Sequence, residues 1–144
     1  RWYILCNTQE DYEQSPKLRT LALDRIEHIS SLQLPFVPAP EQVNGYFDEV
    51  IGITKKEDKN HDCQEIIIRC APKEFKYILT KPIHPSQRPI HDKPNHIKLK
   101  VRENYELYQS LLFYGDKIEI ISPEHIRCEF KQILQRMMAK YKDR

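Results

Sequence analysis

His96-Ile97-Lys98-Leu99-Lys100-Val101-Arg102 alternates apolar and polar side chains without a break. A period of two over this length is the mark of a strand with one buried face. Ile97, Leu99 and Val101 therefore point inward, and His96, Lys98, Lys100 and Arg102 point outward. Upstream, Gln64-Glu65-Ile66-Ile67-Ile68-Arg69-Cys70 reads as a second strand, rich in β-branched side chains. Between them, Pro72 suits the first position of a helix with Phe75, Ile78 and Leu79 on one face, and Lys81-Pro82 ends it. Pro85, Pro89 and Pro94 leave room only for a loop or a short edge strand over 83–95. Downstream, residues 105–114 carry a helical pattern, with Gly115 placed to cap its C-terminus. Lys117-Ile118-Glu119-Ile120-Ile121 reads as a strand, and Ser122-Pro123 as an N-cap followed by a first-turn proline. The last helix, about 123–142, aligns Ile126, Phe130, Ile133, Leu134, Met137 and Tyr141. The order β-α-(β)-β-α-β-α predicts an α+β fold, a ferredoxin-like βαββαβ sandwich with an extra C-terminal helix.

Ahead of this unit the pattern changes. Trp2-Tyr3-Ile4-Leu5-Cys6-Asn7 is a short apolar run that reads as a strand, residues 8–18 as a loop, and 18–26 as a second strand. On the latter, Arg19, Leu21, Leu23 and Arg25 share one face. A weaker third strand follows at 27–33. Leu34-Pro35-Phe36-Val37-Pro38-Ala39-Pro40 then marks a semi-rigid linker, and residues 42–50 read as a short helix. The expected division is 1–34, 35–50 and 51–144.

Bulk properties exclude several classes. Of the 144 residues, 40% are hydrophobic and 31% charged, as in a folded domain and unlike a disordered chain. The net charge of +2 supplies no bulk polycation, so any nucleic-acid role requires clustering. No apolar run reaches the ~20 residues that span a bilayer, and a cytoplasmic location with no membrane partner is expected. Cys6, Cys63, Cys70 and Cys128 form no C-x-x-C pair, and His61-Asp62-Cys63 lacks a second ligand pair. Free thiols and no metal or other cofactor are the expectation. His84 and His91 read as turn residues. No acid–base pair or phosphate loop is visible, so no enzyme is expected.

Trp2-Tyr3-Ile4-Leu5 followed by Arg19-Thr20-Leu21-Ala22-Leu23-Asp24-Arg25-Ile26 resembles the WYL domain of bacterial transcriptional regulators. Ile83-His84-Pro85-Ser86-Gln87 and Tyr114-Gly115-Asp116-Lys117-Ile118-Glu119-Ile120-Ile121-Ser122-Pro123 resemble the WCX extension that follows that domain. In the family the tripeptide lies partway through a small Sm/SH3-like barrel. The resemblance therefore implies that residues 1–34 are about three strands of a partial β-barrel with exposed edges, so that residues 2–33 either pair across a homodimer or lie poorly ordered. It further implies an effector-sensing and oligomerisation region whose promoter contacts are made through a separate N-terminal helix-turn-helix domain. The alternative is an interaction module that dimerises and binds no ligand.

The candidate ligand-binding residues are Arg19, Arg25, Tyr3, Arg69, Lys98, Lys100 and Arg102. On an extended strand Arg19 and Arg25 stand ~20 Å apart, so they would reach different phosphates of a long ligand. The resemblance assigns Arg25 to a basic patch for single-stranded nucleic acid or a nucleotide-like effector. Equally open is that Arg25 pairs with a neighbouring carboxylate. Trp2 reads as core, whereas Tyr3 points to the opposite face. Lys98, Lys100 and Arg102 repeat at ~6.6 Å, near phosphate spacing, and Arg69 extends the row. The competing reading is a solvated sheet face balanced by acidic neighbours.

Overall fold

The computed structural model describes residues 1–8, 17–31, 33, 35, 43–55 and 62–142. The chain divides into two units, residues 1–46 and 47–144. The loop expected at 8–18 falls on 9–16, most of the Pro-rich linker on 36–40, and His61 on 56–61; these lie outside the described residues.

In the first unit, β1 (Tyr3–Thr8) and β2 (Lys17–Ala22) form an antiparallel hairpin, with Tyr3 opposite Ala22 and Cys6 opposite Arg19. The second strand is shorter than the 18–26 expected. Beyond Ala22 the ladder closes on one last bond, Leu23 N–H to Trp2 O at 3.0 Å. Leu23–Arg25 then curl into a 3-10 turn, and Asp24 pairs with Arg1 at 3.0 Å. Residues 26–31 and 33 belong to no strand, so the third strand expected at 27–33 is not formed there. Among the described residues there is a two-stranded ribbon and no barrel. Such a ribbon has no second layer to bury its side chains. Trp2 is accordingly 82% exposed, against the expectation that it is core. Residues 43–49 form tight turns where a short helix was expected, because Gly45 at φ 74° breaks the helical path and the backbone bonds run i to i+3.

The second unit runs β3 (Gln64–Cys70), α1 (Pro72–Thr80), β4 (Arg88–Pro89), β5 (His96–Val101), α2 (Tyr105–Leu112), β6 (Ile118–Ser122), α3 (Glu124–Ala139). The sheet order is β4-β5-β3-β6 with every neighbouring pair antiparallel. It follows that β3 and β4 run in one direction and β5 and β6 in the other, and each such pair is joined through one helix. Ile66, Ile68, Ile97, Leu99, Val101 and Ile120 turn inward against Ile78, Leu107, Leu111, Ile126 and Phe130 of the helices. Burying those aliphatic side chains, at ~1.5–3 kcal/mol each, is what holds the layers together.

Helix ends depart from expectation in instructive ways. Ser122 closes β6, so Pro123 occupies the N-cap position of α3 and no side chain caps it. α2 stops at Leu112, and Gly115 takes its positive φ of 57° in the following 3-10 turn. α3 is shorter than 123–142, and Leu134, Met137 and Tyr141 of its expected buried stripe are exposed.

Candidate nucleic-acid interface

Within the second unit the helices cover one face of the sheet, and no described element of that unit covers the other. Register assembles the open face. Arg88 of β4 lies opposite Lys98, Lys98 opposite Ile67, Lys100 opposite Glu65, Arg69 opposite both His96 and Glu119. Facing residues of paired strands share a side, so Arg69, Lys98 and Lys100 are brought together as the alternation implies. Each cation has a distinct environment. Arg69 pairs with Glu119, which also takes Arg127 of α3 at 3.2 Å. Lys98 reaches Glu65 at 3.1 Å. Arg88 donates to the carbonyls of Pro85 and Gln87 at 2.8 and 2.6 Å. The Lys100 side chain is exposed and meets no counter-charge among the described residues. Arg69, Arg88, Lys98 and Lys100 against Glu65 and Glu119 leave an excess of two positive charges on this face. Exposed pairs of this kind contribute only ~0–1 kcal/mol each.

Arg102 is separated from that row. It follows the last residue of β5, and its Nε donates to Glu49 Oε2 at 2.6 Å. That bond, with the guanidinium charge behind it, holds the Glu49 carboxyl below the usual carboxylate range. The neighbouring Cys63 thiol is pushed up, first by burial and then by Glu49. Cys70, in the core, is pushed up to about 11 by burial. Among the described residues no group of three or more His, Cys, Asp or Glu could hold a metal ion, and no helix is long and apolar enough to cross a membrane.

The first unit contributes three candidates, which do not converge. Tyr3 and Arg19 lie on opposite faces of the hairpin, since Arg19 shares a side with Cys6 and Leu21. Arg25 sits in the 3-10 turn instead of on the strand face, so the extended ~20 Å separation from Arg19 does not apply. The adjacent carboxylate, Asp24, is held by Arg1, and Arg25 is exposed with no ion pair among the described residues.

Three buried polar residues stand outside the candidate site, and of these only His84 was expected where it lies, in a turn. Asn104, 1% exposed, caps α2 by accepting from Leu107 N–H at 2.8 Å and donates to the Ile51 and Thr54 carbonyls. Gln87 joins the end of α1 to the next turn, donating to Ile78 O and accepting from Ile83 N–H, both at 3.0 Å. His84 is buried within that turn. The signal for Asn104 was present, an Asn just before the first residue of a helical pattern.

The WCX domain family matches residues 64–138, from the first residue of β3 almost to the end of α3. The chain belongs to this family, the non-catalytic C-terminal extension of WYL-domain transcriptional regulators. No curated protein matches the chain.

Proposed function

We propose that the chain is the effector-sensing and oligomerisation region of a WYL-type regulator. On this reading the hairpin of β1 and β2 is part of an Sm/SH3-like WYL barrel, the second unit is a ferredoxin-like sandwich, and the regulator works as a homodimer. Promoter DNA is contacted through a separate domain. The effector is a single-stranded nucleic acid or a nucleotide-like ligand, taken by the open sheet face of the second unit, and Arg19, Arg25 and Tyr3 are separate candidate contacts within the first unit. The observation that carries this is the cationic excess there: Glu65 faces Lys100 but pairs with Lys98, and the Lys100 side chain makes no ion pair among the described residues. A flat, open, basic sheet suits a phosphate backbone, and the absence of aromatics in its cationic rows argues for backbone contacts over base readout.

Fluorescence anisotropy of a labelled oligothymidylate tests the reading. The chain should bind at low salt, and log K should fall with log salt. Replacing Lys98 and Lys100 together by Ala should weaken binding and lower that slope by about 1.4, at ~0.7 per phosphate contact. Arg25→Ala should weaken binding with an unchanged circular dichroism spectrum. No binding at low salt sinks the sensor reading. The ligand-free interaction module is then favoured, and it has an observation of its own: Arg69, Lys98 and Arg102 are already paired with Glu119, Glu65 and Glu49.

A further inference from the structure

We propose that the C-terminal half of α3 is the self-association surface, on which a second copy of this chain lays its own α3 antiparallel about a two-fold axis. This rests on the oligomerisation part of the reading above and gives it a location. α3 outlasts the sheet it packs on. Ile126 and Phe130 are buried and Ile133 half-buried, but Leu134 is 41%, Met137 43%, Met138 69% and Tyr141 84% exposed. Leu134 and Met137 fall at i and i+3 on one exposed face of α3, the spacing of a helix–helix seam, and Tyr141 follows just past the end of the helix.

The pattern is self-complementary. In a two-fold pair, residue i meets j while j meets i. An antiparallel alignment centred between Gln135 and Arg136 sets Leu134 against the second copy's Met137, an apolar meeting that occurs twice, with the exposed Tyr141 of each copy beyond it. Charge follows the same symmetry. Glu129, Ile133, Arg136 and Lys140 line one flank of the seam, as the 3.2 Å contact of Arg136 with Glu129 attests. A groove of about 510 Å³ between α2 and α3 opens on this flank, carrying Glu103 and Glu129 over Leu112 and Ile133. The flank is thus acidic toward the N-terminal half of α3 and basic toward its end. Antiparallel pairing lays each copy's Arg136 and Lys140 along the other's Glu103 and Glu129. A surface that complements its own reverse fits a second copy better than an unrelated partner.

Sedimentation and light scattering on the full chain provide the test. The chain should be a dimer, and Met137→Glu should raise the dissociation constant roughly a hundredfold with unchanged circular dichroism. Glu129→Lys and Lys140→Glu should each weaken the dimer roughly tenfold, and the two combined should restore it. Recovery in the double variant is the decisive result, since it requires Glu129 and Lys140 to meet between copies. A dimer insensitive to Met137→Glu, or no recovery on combining the charge changes, overturns the surface and leaves the oligomerisation reading standing. A chain monomeric across a roughly hundredfold range of concentration overturns both. Oligonucleotide binding by the charge variants is a separate readout, because neither residue lies on the open sheet face.

Discussion

His84 shows how a single residue couples the fold to pH. It is 6% exposed, and its Nδ1 lies 2.8 Å from Ser86 Oγ and accepts from the Ser86 N–H at 3.2 Å. A nitrogen that accepts an amide proton must keep its lone pair, so the neutral ring fits this turn and the imidazolium does not. Burial accordingly holds its pKa below the ordinary 6.5, with Asp48 opposing. The sign follows from linkage. The unfolded chain takes up the proton first, so the contribution is complete above pH 6.5 and is lost as pH falls through the folded value. Glu49 acts in a lower window, because its carboxyl is held below 4.5. Urea midpoints measured at about pH 7.5 and about pH 5.5 should therefore fall with acid, and His84→Gln should flatten that difference. An equal acid loss in the variant would show that His84 is not its source.

At the scale of elements, α2 is held at its start by one side chain with two duties. Asn104 accepts the Leu107 N–H as the N-cap and donates to the carbonyls of Ile51 and Thr54 at 2.8 and 2.9 Å. Losing a cap costs ~1 kcal/mol, and leaving buried carbonyls unpaired costs ~1–3 kcal/mol more. Asn104→Ala should therefore lose about 2–4 kcal/mol in urea titrations, and Asn104→Ser, which keeps only the cap acceptor, should fall between. A loss below ~1 kcal/mol would mean that the carbonyls find other donors. The same contrast explains what could be read in the sequence. β3, β5, β6 and the start of α1 were legible because each carries its own one-sided period or its own proline. The end of β2 was not, because it depends on where the facing strand stops offering acceptors, which no local pattern records. α3 was overextended because an apolar stripe does not say how far the sheet beneath it reaches. On the candidate site, period two places Lys98 and Lys100 on one face. Glu65, which faces them, and Glu119, which takes Arg69, are delivered by strands distant in sequence, so the pairing was visible only as an alternative.

Across the whole molecule, the second unit contains every buried hydrophobic residue among those described, from Val50 to Phe130. It carries its own core, and a core of that kind sustains a cooperative domain. Residues 47–144 should therefore unfold in one transition by circular dichroism in urea, with a stability of about 5–10 kcal/mol. The family match begins later, at residue 64, and the difference is physical. The segment before β3 is bound to the sandwich at several points. Val50 is buried, and Glu49 O accepts from Arg102 N–H at 2.6 Å. The Ile51 and Thr54 carbonyls occupy the Asn104 amide, and Glu106 Oε1 accepts from Thr54 N–H and Oγ1 at 3.2 and 2.6 Å. A fragment of residues 64–144 keeps the sheet and all three helices but strips these partners. Asn104 and Glu106 then lose the backbone they hold, and Arg102 loses its carboxylate. The shorter fragment should be less stable than 47–144 by about 3 kcal/mol or more, from one large buried side chain and several polar groups left unpaired. Equal stability of the two fragments would place the working boundary of the domain at β3 and reduce the preceding segment to a tether.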